Sequence, residues 1–241
     1  MKLEVIYEDK DVLVCFKMAG IATQTAKLSS QDIVSMLKNY LARETKDKNP
    51  YIGVIHRLDQ PVSGLLVFAK NKSAAAALSK QIQDGNANKD YIARCSGKLE
   101  DGSGKLLHYI GKDSTTRLAV AISEAEYSRL QNEEKASYKE AILTYEVVEE
   151  REDSSIIKVH LQTGRFHQIR AQFSAIGHPL LGDVKYGTDE SKSISNKLRI
   201  RNVALCANRL TFYHPVSKKE MEFVLPKQHL PKEMRTKENE A

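Results

Sequence analysis

Apolar residues in this chain recur at two spacings, one typical of strands and one of helices. Residues 3–7 and 12–16 are short apolar runs separated by the charged Glu8-Asp9-Lys10-Asp11, a pattern that predicts a hairpin. A loop over residues 17–25, containing Gly20, follows. Ile33, Met36, Leu37, Tyr40 and Leu41 then recur at helical spacing behind Ser29-Ser30, which predicts an amphipathic helix over residues 30–43. Residues 46–50 are a polar break. Residues 64–69 form a continuous apolar run, as in a buried strand. Asn71 is placed to cap the alanine-rich helix behind it.

Residues 91–96 read as the next strand, and residues 97–116, punctuated by glycines, as irregular surface structure. Residues 138–148 and 156–161 predict two more strands. In the second of these Ile157, Val159 and Leu161 alternate with Lys158, His160 and Gln162, the period of a half-buried strand. Helical spacing returns over 165–176, where Phe166, Ile169, Phe173 and Ile176 share one face before Gly177 and Pro179 stop the helix. Residues 186–202 are polar and serine-containing, and predict a loop. Residues 203–207, 209–213 and 220–225 predict three closing strands, and a charged, frayed tail follows from Pro226.

Strands in hairpin-like pairs interspersed with helices predict an α+β fold around a mixed, largely antiparallel central sheet with flanking helices. The expected organisation is one domain over residues 1–228 and a flexible tail over 229–241. There is no internal repeat and no low-complexity stretch.

Composition narrows the class. Of 241 residues, 41% are hydrophobic and 28% charged, the balance of a soluble globular chain. No run of eighteen apolar residues is present, so no membrane span is expected. The acid at Glu4 interrupts any signal-peptide core, so the expected location is the cytoplasm. Cys15, Cys95 and Cys206 are far apart, odd in number and without metal-ligand spacing, which fits reduced thiols and neither disulfides nor zinc. Thirty-seven Lys and Arg against 31 Asp and Glu leave a formal charge of +6, which suits a polyanionic partner without establishing one.

Three segments carry candidate chemistry. In His56-Arg57-Leu58-Asp59-Gln60-Pro61-Val62-Ser63-Gly64, a carboxylate sits in a tight approach to a buried strand, the fixed placement a nucleophile or base needs. Solvated surface charges fit such a turn as well. On the 165–176 helix, His167, Arg170 and Ser174 share a flank distinct from the apolar one, able to face an anion or solvent. His167 has no partner ligand at i+4, so a metal site is not expected there. In Lys89-Asp90-Tyr91-Ile92-Ala93 an aromatic opens a strand, either to stack on a base or to pack in the core.

Together these segments resemble the motifs of the RluA-type RNA pseudouridine synthases. Residues 56–70 are similar to that family's His-Arg-Leu-Asp segment, and Lys89 to Ala93 to its Lys-x-Tyr-x-Ala. Residues 163–170 are similar to its Thr-Gly-Arg-x-His-Gln-Ile-Arg, and 177–187 to its Gly-x-Pro-x-x-Gly-Asp-x-x-Tyr-Gly. Departures are Met18 in Lys17-Met18-Ala19-Gly20, Ala171-Gln172 after Arg170, and Cys206 in Leu205-Cys206-Ala207. They bear on RNA contacts or local packing. Many relatives carry an N-terminal S4 RNA-binding domain, which this sequence is expected to lack.

The resemblance implies the pseudouridine synthase catalytic fold and isomerisation of uridine in ribosomal RNA or tRNA, without metal, redox cofactor or ATP; nothing in the sequence suggests more than a monomer. It implies Asp59 as the essential carboxylate, Arg170 as its ion-pair partner and Tyr91 stacked on the uracil. It implies RNA contacts from Arg57, His56, Arg165 and His167, Arg57 taking the extruded base's place or holding its phosphate. Whether Asp59 attacks C1′, attacks the base or removes a proton stays open. A glycoside hydrolase would require a second acid beside Asp59. The nearest candidate, Asp183, sits in a Gly-Asp turn.

Overall fold

The computed structural model describes residues 3–26, 31–45 and 47–236. They divide into two compact units, one comprising Met1–Lys89 and Cys206–Pro226, the other Asp90–Leu205 and Lys227–Ala241. Residues 1–228, expected as one domain, are distributed over both units, and the first unit is discontinuous in the chain.

In the first unit, β1 (Glu4–Glu8) and β2 (Val12–Lys17) form the predicted antiparallel hairpin. Its turn is set by Asp9, whose Oδ1 accepts hydrogen bonds from the Asp11 and Val12 amides at 2.8 and 2.7 Å. β4 (Ser63–Ala69) is buried at every position, as its unbroken apolar run requires, and pairs antiparallel with β2. β3 (Gly53–Val54) adds a short antiparallel pairing to β4. β10 (Leu205–Tyr213) runs parallel to β4, with Cys206 opposite Ser63 and Ala207 opposite Gly64, and β11 (Glu220–Val224) closes antiparallel on β10.

Two helices accompany this sheet. α1 (Ile33–Thr45) buries Ile33, Val34, Met36, Leu37 and Leu41. Asp32 stands at its start and accepts from the Ser35 amide at 2.7 Å; the Ser29-Ser30 start signal lies outside the described residues. α2 (Lys72–Gln83) is capped by Asn71 as expected, through the Ala74 amide.

The second unit is built on five antiparallel strands in the order β5 (Asn88–Ser96), β9 (Ser154–Leu161), β8 (Lys139–Arg151), β6 (Ser103–Lys112), β7 (Ala119–Ile122). Among the described residues it also holds the α-helices α3 (Glu124–Arg129), α4 (Asn132–Lys135), α5 (Gln168–Ala175) and α6 (Asp189–Lys197).

Several expectations are corrected here. Residues 97–116 are not all irregular, because β6 fills half of that stretch. Its glycines are spaces rather than breaks: a Cβ on Gly104 would lie 2.8 Å from the Tyr145 ring, and one on Gly111 2.7 Å from the Tyr138 ring. Residues 186–202 contain α6, capped by Thr188 through the Ser191 amide and anchored by buried Ile194, Ser191 and Ser195. The two strands expected over 203–213 are one, β10. The tail does not fray at Pro226: Leu230 and Met234 are buried, and the Arg151 guanidinium donates to the Arg235 carbonyl at 2.6 Å. Among the described residues no helix is long and apolar enough to cross a membrane.

Candidate active site

Asp59 lies in the first unit, half-buried, in the turn that leads into β4. The Val62 amide closes that turn on the Asp59 carbonyl at 3.0 Å. The loop after β2 is laced to it. Thr23 Oγ1 accepts from the Leu58 amide at 3.1 Å and donates to the Leu58 carbonyl at 2.9 Å. The Gly20 amide donates to the Gln60 carbonyl at 2.8 Å, and Gln60 Nε2 returns a bond to the Gly20 carbonyl at 3.0 Å. Gly20 has φ +90°, which only glycine adopts without strain. The residues on both sides of Asp59 are therefore held by backbone bonds, and the carboxylate starts from a fixed main chain.

Gly64 fixes the far end of the same segment. Its φ is +134°, and a Cβ there would come within 2.4 Å of the Ala207 backbone, so β4 and β10 approach only because the side chain is absent. The departure at Met18 leaves this packing intact, since the Met18 side chain is exposed.

His56 and Arg57 flank the turn with opposite fates. His56 Nε2 accepts from the Val67 amide of β4 at 3.2 Å, which places the proton on Nδ1. Nδ1 is closed to solvent and has no hydrogen-bond partner. Burial, with the Lys89 charge as a smaller cause, pushes the His56 pKa down to about 3. The ring is a neutral support for β4. Neither ring nitrogen is open to a ligand. Arg57 is exposed.

The second unit holds Tyr91, Arg165, His167 and Arg170. Tyr91 is buried on β5, paired with Val159 of β9. His167, Arg170 and Ser174 all reach Tyr186. His167 Nδ1 lies 2.8 Å from the Tyr186 hydroxyl, the Arg170 guanidinium stands 5.0 Å over the Tyr186 ring, and Ser174 Oγ donates to the Tyr186 carbonyl at 2.9 Å. The same hydroxyl accepts from the Ala119 amide at 2.8 Å. Tyr186 is named in the sequence only as the end of a motif, and nothing in the local pattern marks it as the hub.

Arg170 is locked further by Asp183. Its Nε and Nη2 donate to the two carboxylate oxygens at 2.6 and 2.8 Å, and both side chains are almost fully buried. Asp183 Oδ1 also accepts from the Lys185 and Tyr186 amides at 3.0 and 3.2 Å. A carboxylate so committed does not serve as the second acid of a hydrolase, which removes that alternative.

The Thr-Gly-Arg-x-His-Gln segment is a scaffold as much as a site. Thr163 Oγ1 accepts from the Ile142 amide at 2.8 Å and donates to Gln168 Oε1 at 2.9 Å; Gln168 Oε1 also accepts from the Arg165 amide at 2.9 Å. Arg165 is exposed, with Nε on the Glu140 carbonyl at 2.8 Å. His167 adopts φ +53°, a left-handed conformation rare for a residue with a Cβ. That reversal starts α5 at Gln168 instead of Arg165. It leaves Phe166 half exposed while Ile169 and Phe173 are buried. Gln172 is fully buried and donates to the Leu106 and Ala141 carbonyls, and Cys206 is buried within β10, so both departures are packing substitutions.

Among the described residues, Asp9, Asp11 and His214 in the first unit form a group with metal-like spacing. The donor set does not fit a metal. His214 Nδ1 accepts from the Val216 and Ser217 amides at 3.3 and 3.1 Å, so Nε2 carries the proton and donates it to Asp9 Oδ2 at 2.8 Å. A protonated nitrogen has no lone pair to coordinate with.

Comparison with known proteins bears on the whole arrangement. The family model described as RNA pseudouridylate synthase matches residues 11–175. The ribosomal large subunit pseudouridine synthase D of Vibrio parahaemolyticus serotype O3:K6 (strain RIMD 2210633) is 32% identical over 233 residues, covering 93% of this chain and 67% of its own. The dual-specificity RNA pseudouridine synthase RluA of Vibrio vulnificus (strain CMCP6) is 31% identical over 230 residues, covering 89% and 79%. Human RNA pseudouridylate synthase domain containing 1 shares the fold, with a TM-score of 0.73 over 97% of this chain and 86% of that one, at 24% identity. The chain belongs to the RNA pseudouridine synthases, in their RluA type, and is by that membership an isomerase.

Proposed function

We propose that this enzyme converts uridine to pseudouridine in ribosomal RNA, with Asp59 as the essential carboxylate. The observation that carries the proposal is the Asp59 turn, a half-buried carboxylate on a backbone fixed from both sides. The names of the Vibrio relatives support the choice of ribosomal RNA, and the dual-specificity relative keeps tRNA as a further substrate.

In the reaction the N1–C1′ bond breaks, the uracil turns, and a C5–C1′ bond forms; the C5 proton leaves and N1 gains one. Tyr91 stacks on the uracil. Arg170, held rigid by Asp183 and Tyr186, supplies the positive charge that pairs with Asp59. Arg57, exposed beside the turn, receives the phosphate or the space of the extruded base. Extrusion costs a few kcal/mol in a helix and less in a loop, so loops are the preferred targets. Arg165 and His167 contribute at the rim of the RNA contact. The enzyme acts in the cytoplasm, as a monomer and without a cofactor.

The test is pseudouridine mapping across all RNAs in a strain lacking the gene, complemented with either wild type or Asp59→Asn. The expected result is one or a few uridines in ribosomal RNA that wild type restores and Asp59→Asn does not. Restoration by Asp59→Asn would remove Asp59 from the chemistry, and a lost site confined to tRNA would change the substrate.

A further inference from the structure

Phe166 has the helical spacing of Ile169 and Phe173, yet it is 50% exposed while they are buried. A lone exposed apolar side chain is ordinary; this one is held in place. Its ring lies against the His167 imidazole, with centroids 3.7 Å apart and planes inclined by 21°. The imidazole meets the Tyr186 ring edge-on at 5.5 Å, and its Nδ1 lies 2.8 Å from the Tyr186 hydroxyl. Tyr186 is fixed by the Ala119 amide of β7 and by the guanidinium of Arg170, which Asp183 locks. A ladder of rings thus runs from a buried ion pair to an open aromatic surface. The left-handed backbone of His167 turns Phe166 off the helical face, and strain of this kind gathers at functional sites. Two cations stand at the open end. Lys112, exposed at the end of β6, places Nζ 5.5 Å over the Phe166 ring, and the exposed Arg165 precedes Phe166 in the chain.

Resting on the reading of this chain as an isomerase of uridine in RNA, we propose that Phe166 is a stacking platform for a second unpaired base of the RNA, with Lys112 taking the adjoining phosphate. This base is distinct from the uracil that stacks on Tyr91. Every base has a π-face, so the platform reads exposure of a base and not its identity. A paired base hides its faces in the helix, so the platform selects RNA segments that offer at least one free base besides the target. The ladder below Phe166 is already ordered, and a preorganised ring costs little to immobilise on binding. Lys112 is long and exposed, and it swings from the ring to the phosphate as the base arrives. A protein partner fits this surface less well, because lysine is depleted at the cores of protein interfaces. Phe166 carries no titratable group, so its contribution belongs to binding and not to the chemical step.

The experiment uses the full chain and total RNA, tritiated at uracil C5, from cells lacking the gene. Tritium release under single-turnover conditions, followed over a range of protein concentrations, gives a limiting rate and a half-saturating concentration. Phe166→Ala should raise the half-saturating concentration by about 5- to 100-fold, the scale of one lost base–aromatic stack, with the limiting rate within about twofold of wild type. Phe166→Tyr keeps the ring and should match wild type. Phe166→Leu is apolar without a π-face and should resemble Phe166→Ala. Salt separates the platform from its cation. The slope of log half-saturating concentration against log salt should stay at the wild-type value in Phe166→Ala and fall by about 0.7 in Lys112→Gln, one phosphate contact to a single strand. An unchanged slope in Lys112→Gln overturns the phosphate contact. Binding by Phe166→Ala or Phe166→Leu within about twofold of wild type overturns the platform, and so does a loss confined to the limiting rate. Should Phe166→Ala fail to melt cooperatively, Phe166→Leu, which still covers His167, decides by the same criteria. Wild type runs alongside. No release by wild type removes the reading of the reaction and the proposal with it; release by wild type makes the Phe166 variants decisive.

Discussion

Arg170 and Asp183 are buried together with two parallel hydrogen bonds, and each is the other's compensation for leaving water. Asp183→Ala removes two charge-assisted hydrogen bonds from a buried guanidinium. Denaturant unfolding of that variant should show a loss of about 3–5 kcal/mol; a loss below 1 kcal/mol would mean the pair is not the anchor described. Tyr186→Phe removes one hydroxyl on which the Ala119 amide and His167 depend, with an expected cost of about 1–3 kcal/mol. His56 gives a pH signature. Unfolded, it takes up a proton near 6.5; folded, only near 3. Between those values the unfolded state holds more protons, so stability falls as the pH drops through that window. His56→Gln should flatten that slope in unfolding measured at several pH values, and an unchanged slope would assign it to other groups. The residues whose chemistry is intrinsic, such as a carboxylate in a tight turn, were legible in the sequence. Tyr186 was not, because its importance lies in who meets it from distant segments.

At the scale of elements, strict patterns translated directly. The unbroken apolar run became the fully buried β4, and Asn71 caps α2. Asn71→Ala should cost about 1 kcal/mol of stability. Where the sequence misled, one residue type served a different purpose from its usual one. Glycines in β6 open room for the rings of Tyr145 and Tyr138 instead of breaking the strand. Serines in α6 are half cap and half core, with Ser191 and Ser195 buried. His167 ends the helical path backwards through its own backbone angle, which no periodicity records. Gly64 offers the sharpest test of element packing. Gly64→Ala sets a Cβ against the Ala207 backbone, and neither strand can yield cheaply; the expected destabilisation is about 3 kcal/mol, read by thermal or denaturant unfolding. A neutral outcome would show that β4 and β10 are less closely paired than described.

For the molecule as a whole, the three cysteines are buried, and burial pushes the thiols of Cys15 and Cys95 up to about 12. The native protein should resist an aromatic disulfide reagent at pH 8 and release three equivalents only on unfolding. Rapid labelling in the native state would contradict the packing. The discontinuous first unit has a consequence of another kind. Its central strand, β4, is paired on one side by β2 and on the other by β3 at Phe68 and Ala69 and by β10 at Ser63 and Gly64, and the residues of β10 leave the ribosome long afterwards. Some 140 residues separate the end of the first segment from the end of the second, roughly 7–30 s of synthesis at 5–20 residues per second. During that interval the apolar β4 has an open edge, while residues 90–205 have already emerged and can fold. A nascent chain stalled before Cys206 should bind chaperones through its N-terminal third, and release from the ribosome should coincide with the closing of the first unit.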